Sequence, residues 1–163
     1  MNYAPLYIML GGLPGSGKST MRRYFRKMYD INHIASSDDI IESECKKVGK
    51  TYSEGFSEFI TFAQKKTMDG IKFALKHDFN ILDDQTNLTI HGRNNKLKLI
   101  PSNYIKIYYY FPIPNEDEWR RRLNSRAEKI ITNAVLESMK GYFIMPTLNE
   151  GFDMIYTVNG FKI

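Results

Sequence analysis

Nine consecutive residues, Gly12-Leu13-Pro14-Gly15-Ser16-Gly17-Lys18-Ser19-Thr20, satisfy the spacing G-x-x-x-x-G-K-[ST] at every fixed position. Glycines at these positions let backbone N–H groups turn inward around phosphate oxygens with no Cβ in the way. At this spacing a lysine neutralises the β/γ-phosphates and a serine hydroxyl ligates Mg²⁺, roles that fall to Lys18 and Ser19. Gly15, Ser16, Gly17, Lys18, Ser19 and Thr20 are therefore the candidate nucleotide-binding residues, with ATP or another nucleoside triphosphate and Mg²⁺ as the implied ligands.

Two pairs of acids add chemistry to this loop. Ser36-Ser37-Asp38-Asp39 combines serines able to cap a helix with acids suited to its first turn. That helix role suffices for Asp39. A carboxylate leaving a strand beside a phosphate loop can also accept the proton of an attacking hydroxyl, and Asp38 is the candidate base. Asp83-Asp84 precede Gln85-Thr86-Asn87. One acid at this place orients the water shell of a metal; which of the two faces the site depends on strand phase, and Asp84 is the favoured candidate.

Arginines supply the remaining charge. In Trp119-Arg120-Arg121-Arg122-Leu123-Asn124-Ser125-Arg126, residues 122 and 126 are four apart and share a helix face. Planar, permanently charged guanidinium groups match a phosphoryl group in flight, so Arg122 and Arg126 are candidate phosphate contacts on a lid covering about residues 119–133. Closing such a lid excludes water and limits wasted hydrolysis.

The elements that must hold these residues alternate along the chain. Strand-like runs cover Tyr7 to Leu10, His33 to Ala35, Asn80 to Asp83, Ile105 to Phe111 and Met154 to Val158. Several are continuous apolar runs, as in parallel strands buried on both faces. Between them, Met21, Tyr24, Phe25 and Met28 mark the apolar stripe of a helix starting near Lys18. Arg22, Arg23, Arg26 and Lys27 lie opposite that stripe. A long helix covers about Ser53 to Lys76, with Gly70 a weak point inside it. Asn115 with Glu118 reads as a capping box, and Thr132 as a cap whose neighbours Ile131 and Leu136 form a hydrophobic staple. The pattern predicts an α/β fold of the three-layer P-loop kinase type, with about five parallel strands, helices on both faces and a helical lid, all in a single domain over residues 1–163. Ligands of such sheets bind beyond the carboxyl ends of the strands, where the acids above are found.

The bulk composition is that of a globular enzyme: 163 residues, 42% hydrophobic and 25% charged. One cysteine, Cys45, excludes an internal disulfide, and His33, His77 and His91 show no metal-ligand spacing with it. No apolar run approaches membrane-spanning length and Met1 to Pro5 carry no leader pattern, so a cytoplasmic location with no membrane partner is expected. The net charge of +5 leans modestly toward polyanionic ligands. The tyrosine run Tyr108, Tyr109 and Tyr110 and the phenylalanines Phe56, Phe59 and Phe62 suit either base stacking or the core, and the core has first claim on most of them.

With these residues set out, the chain resembles the phage-type 5′-hydroxyl polynucleotide kinases of the P-loop kinase superfamily. The resemblance is carried by Gly12 to Thr20, Ser37-Asp38-Asp39, Asp84-Gln85-Thr86-Asn87-Leu88 with Arg93 following, and Arg122 to Arg126 leading into Val135-Leu136-Glu137-Ser138-Met139. It implies transfer of the γ-phosphate of ATP to the 5′-hydroxyl of DNA or RNA. Asp38 is then the base, Lys18 and Arg126 the charge stabilisers, and Ser19 and (through water) Asp84 the metal contacts. Asp38, Asp39, Thr86, Asn87 and Arg93 become the acceptor residues. Two positions depart from the pattern: Ser37 and Ile41 stand where such enzymes commonly carry arginines. The loss at Ile41 keeps two other acceptors open, a hydroxymethylated base in DNA and a nucleoside or other small metabolite. A nucleotide-binding switch without transfer is disfavoured by a base-like Asp38 and an arginine-bearing lid.

Overall fold

The computed structural model describes residues 3–126 and 129–158. Its elements run β1 (Leu6–Gly11), α1 (Lys18–Met28), β2 (His33–Ala35), α2 (Ser37–Lys47), α3 (Tyr52–Lys76), β3 (Ile81–Asp84), α4 (Ile90–Leu97), β4 (Ile105–Tyr110), α5 (Glu116–Asn124), α6 (Asn133–Tyr142) and β5 (Met154–Thr157). A short 3₁₀ turn, Leu148–Glu150, precedes β5.

All strand pairings among the described residues are parallel, in the order β2-β3-β1-β4-β5. Along β1, side chains alternate between two cores. Tyr7 and Met9 pack with Ile71 and Ala74 of α3 and Leu97 of α4. Ile8 and Leu10 pack with Met21 and Phe25 of α1. Burial on both faces explains why these strands are continuously apolar. Helices on either side of the sheet complete an α/β, three-layer P-loop kinase fold.

Two details differ from the sequence pattern. Only Met21 and Phe25 of the α1 stripe are buried, whereas Tyr24 and Met28 are 58% and 67% exposed. The two buried residues are four apart and meet the sheet along a contact narrower than the apolar stripe. At Asn115 only half of the capping box forms: its side chain accepts from the Glu118 N–H at 2.9 Å. The Glu118 carboxylate turns instead to Arg121 and Arg122, each at 2.7 Å. Thr132 accepts from the Val135 N–H, and Ile131 and Leu136 share one apolar cluster.

Gly70 has a packing reason. A Cβ there would lie 2.9 Å from the His33 ring, so glycine lets α3 lie close against β2. Glycine inside a helix costs about 1 kcal/mol relative to alanine, a cost offset here by close packing. Among the described residues no helix is long and apolar enough to cross a membrane.

Candidate active site at the strand ends

The loop after β1 is shaped by positive φ values at Gly12 (149°), Gly15 (80°) and Gly17 (103°). Gly17 also caps α1 without a side-chain hydrogen bond, leaving the first-turn N–H groups available for an anion. The Ser16 hydroxyl is buried with no hydrogen-bond partner among the described residues. Lys18 donates to the carbonyl oxygens of Gly12 at 2.7 Å and Leu13 at 3.0 Å. Burial lowers its pKa to about 8, and Arg126 and Lys129 push the same way, while the charges of Asp84 and Asp38 oppose them. A buried lysine, an unpartnered hydroxyl and a glycine-lined turn fit a bound phosphate chain, whose charge would further favour the ammonium form.

Ser19 and Asp84 both line a cleft of about 610 Å³ that opens above this loop. Burial raises the Asp84 pKa even though Arg22 and Lys18 lie near it. A hydroxyl and a carboxylate are hard oxygen donors that fit Mg²⁺, an ion that retains several waters and needs few protein ligands. Among the described residues no three histidine, cysteine or acidic side chains gather into a closed metal site.

Across the cleft, Ser36 caps α2 by accepting from the Asp39 N–H at 3.3 Å, which fixes both acids in the first turn. Asp39 faces Arg22, whose Nη1 donates to its Oδ1 at 2.8 Å and reaches Asp84 at 3.4 Å. Burial works against ionised Asp39, but the hydrogen bonds and charge of Arg22 outweigh it and hold the carboxyl below its usual range. Asp38 is engaged on both oxygens. The Tyr52 hydroxyl donates to Oδ1 at 2.7 Å, and Lys129 Nζ donates to Oδ2 at 2.5 Å. Its side chain is nevertheless 49% exposed, on the wall of the cleft that Lys18 also lines.

The third wall is the segment from α5 to α6. The Trp119 indole N–H donates to the Pro14 carbonyl at 2.7 Å, and its ring lies 3.1 Å from where a Cβ on Gly15 would sit. Arg122 Nη1 comes within 3.6 Å of the corresponding position on Gly17. Hydrogen bonds from Arg121 and Arg122 lower the Glu118 pKa to about 2, so the carboxylate orienting Arg122 stays ionised. Arg126, Lys129, Ile130 and Val135 line the cleft, and the Ile130 N–H donates to the Ser53 hydroxyl at 2.9 Å. Residues 127 and 128 of this segment lie outside the described residues.

A family profile described as "AAA domain" matches residues 7–146, from the first core position of β1 to beyond α6. The chain belongs to the AAA domain family. This AAA domain is similar to heterogeneous nuclear ribonucleoprotein U-like protein 2 of Mus musculus, at 24% identity over 156 residues. That alignment takes in 91% of the chain but 21% of the relative, so the chain spans about a fifth of that protein. Among solved structures, a chain of the Pnkp1/Rnl/Hen1 RNA repair complex is 26% identical, with a TM-score of 0.64 over 94% of this chain and 48% of that one. A candidate kinase of Chloroflexus aurantiacus aligns with a TM-score of 0.74 at 18% identity, over 97% of this chain and 86% of its own. A gluconokinase of Sinorhizobium meliloti gives 0.60 at 14% identity, over 98% and 86%. The last two likenesses show the fold.

In the AAA domain the structure brings together Lys18, Ser19, Asp38, Asp39, Asp84, Thr86 and Arg126 on one cleft, with Gly15 and Gly17 at its floor. Ser16 is buried in the loop, while Thr20 is exposed on α1 and does not line the cleft. Asp83 points the other way, taking hydrogen bonds from Tyr7 at 2.8 Å and Lys96 at 2.7 Å.

Two expected acceptor residues are corrected. Arg93 is fully buried and forms a two-pronged pair with Glu150 at 2.7 and 2.9 Å. It also donates to the carbonyls of Asn87, Leu88 and Ile144. Asn87 is buried too, donating to the Leu10 carbonyl at 2.7 Å and accepting from Lys96 at 2.6 Å. Asn87 ties the loop after β3 to β1, Arg93 ties it to Ile144 and Glu150, and neither residue lines the cleft. The tyrosine run is also structural: Tyr108 is buried and donates to the Asn87 carbonyl, while Tyr110 stacks on Phe143.

Arg22, Tyr52 and Lys129 line the cleft without belonging to any motif. Arg22 follows Lys18 by four residues, the spacing that places two side chains on one helix face, and that spacing is the signal pointing to it. Tyr52 and Lys129 reach Asp38 across 14 and 91 residues of chain, which no local pattern reveals.

Proposed function

We propose that this AAA domain is an ATP-dependent kinase that phosphorylates a hydroxyl group of a nucleic acid, foremost the 5′-hydroxyl of DNA or RNA. The observation that carries the reading is the placement of Asp38 on the same cleft as Lys18 and Arg126, a carboxylate on one wall and a phosphate-sized cationic cradle on another. In the reaction the acceptor oxygen bonds to the γ-phosphorus, its proton passes to Asp38, and the bond to the β–γ bridging oxygen breaks to release ADP. Lys18, Arg122 and Arg126 offset the charge that spreads over the equatorial oxygens, and the segment from about 119 to 133 serves as the lid. Ser19, with Asp84 through water, would hold Mg²⁺, which supplies further neutralisation of phosphate charge.

The nucleic-acid acceptor is supported by the likeness to a chain of an RNA repair complex and by the net charge of +5. A second reading, a small uncharged acceptor such as a nucleoside, is favoured by one observation. Ile41 lies fully buried against Cys45 and Ala63, so the first turns of α2 offer no cation to an acceptor phosphate. A base-linked hydroxymethyl group in DNA fits the same gap.

Labelled ATP offered with a 5′-hydroxyl oligonucleotide, a hydroxymethyl-base oligonucleotide and a nucleoside panel tests the proposal. Transfer to the 5′-hydroxyl end, with an acceptor KM that rises with salt, is the expected result, because phosphate contacts release counterions. Transfer to nucleosides alone, insensitive to salt, would establish the second reading.

A further inference from the structure

The amine of Lys129 occupies Oδ2 of Asp38, the carboxylate oxygen that Tyr52 leaves free. It sits 2.5 Å from Asp38 Oδ2, 3.4 Å from Glu42 Oε1 and 4.0 Å from the centre of the Tyr52 ring. The next residue, Ile130, is fastened to Ser53 through its backbone N–H. Lys129 and Ile130 are thus seated on α2 and α3, the cation held between two carboxylates and an aromatic face. Tyr52 engages the other oxygen of Asp38 and fixes the direction in which the carboxylate points. The charge of Lys129 also reaches Lys18, the floor of the phosphate cradle, so the amine lies within electrostatic range of both the base and the donor site.

We infer that Lys129 is a latch: with the cradle free of nucleotide it caps Asp38, and a bound triphosphate draws it off the carboxylate, so that loading the donor uncovers the base. The inference rests on the reading of Asp38 as the base. No covalent bond changes. One set of ion pairs is exchanged for another, and the phosphate charge of the nucleotide outcompetes the half-exposed carboxylates of Asp38 and Glu42. Tyr52 stays behind as the positioning residue that keeps Asp38 aimed into the cleft. An acceptor reaching the site before ATP meets a base already paired, which makes productive binding ordered, donor first.

The test follows the reactivity of the Lys129 amine toward an amine-selective ester, read by peptide mass spectrometry. Wild-type protein and Asp38→Asn are compared, each with and without Mg²⁺ and a non-hydrolysable ATP analogue. The substitution leaves the Ser36 cap of α2 in place at a half-exposed position, so the variant should fold, which circular dichroism checks. Without nucleotide, Asp38→Asn should raise labelling of Lys129 about fivefold, the factor expected for losing one partly exposed ion pair. With the analogue bound, Lys129 should be protected to the same extent in both proteins, because its partner is then the phosphate. Equal labelling of the two proteins without nucleotide would overturn the latch. So would a difference between them that persists once the analogue is bound. Lys129→Arg should keep the donor-first order of binding and Lys129→Met should lose it, read as acceptor affinity with and without the analogue. Wild-type protein is assayed in parallel: no transfer to any acceptor, with the labelling pattern intact, would fault the kinase reading while leaving the exchange of Lys129 between Asp38 and nucleotide in place.

Discussion

The indole N–H of Trp119 donates to the carbonyl oxygen of Pro14 across 105 residues of sequence, tying the helix that carries the arginines to the loop that carries Lys18. The bond also places Arg122 over Gly17. Replacing Trp119 with Phe keeps most of the ring packing and removes the donor, at a cost of about 1 kcal/mol. Nucleotide affinity should fall with stability, since the two elements would no longer be held in register. Trp119 is the chain's single tryptophan, so binding of an ATP analogue to the wild type should change its emission. Unchanged affinity in the variant would show that the tie has no part in binding.

Asp38→Asn should abolish transfer, by about 10² or more, the scale of a lost general base. Nucleotide affinity should stay within a few fold, or tighten slightly as Lys129 is released to the phosphates. Single-turnover assays with equilibrium binding separate the two quantities. Transfer at near the wild-type rate would remove Asp38 from the role of base.

Glu150→Gln should be strongly destabilising. It leaves the fully buried guanidinium of Arg93 without its only carboxylate among the described residues, at a cost of about 3 kcal/mol or more. Urea unfolding measures the loss. Because the pair lies off the cleft, acceptor KM measured on the folded fraction should not change, and a large rise would return Arg93 to the acceptor site.

Burial pushes the His33 pKa below 6.5, and its Nε2 has no partner among the described residues. The unfolded chain therefore takes up its proton at a higher pH than the folded one. Stability is fully present above pH 6.5 and is lost as pH falls below it. His33→Phe keeps a ring against Gly70 without the titration. Its melting temperature should gain on the wild type as pH is lowered from about 7.5 to about 5.5. Parallel curves for the two proteins would show that His33 does not contribute to acid sensitivity.

The glycine-loop side of the cleft was readable from residue order because it is local. Loop, lysine and serine lie within nine residues, and β1 and α1 follow from their apolar spacing. Strand alternation allowed only one of Asp83 and Asp84 to face the cleft, since neighbours in a strand face opposite sides, and the structure turns Asp84 toward it. The misassigned residues sit where polar character had two uses. Arg93 and Asn87 look like ligand contacts from their position after β3, but Glu150 and Lys96 return from later in the chain to take them into the core. Glu118 left its capping role because two arginines one turn away made better partners. Lys129 is one cation in a basic segment, and only the approach of α2 and α3 singles it out.

The sheet order assigns the two halves of the cleft to very different foundations. Lys18 and Asp84 grow out of strands hydrogen-bonded on both sides, while Asp38 follows the three-residue β2, which borders the sheet and pairs with β3 alone. Substitutions in α2 and α3 can accordingly reshape the room beside Asp38 without disturbing the central strands. A scaffold divided in this way can be retargeted to new alcohols over evolutionary time while its grip on the triphosphate is inherited intact.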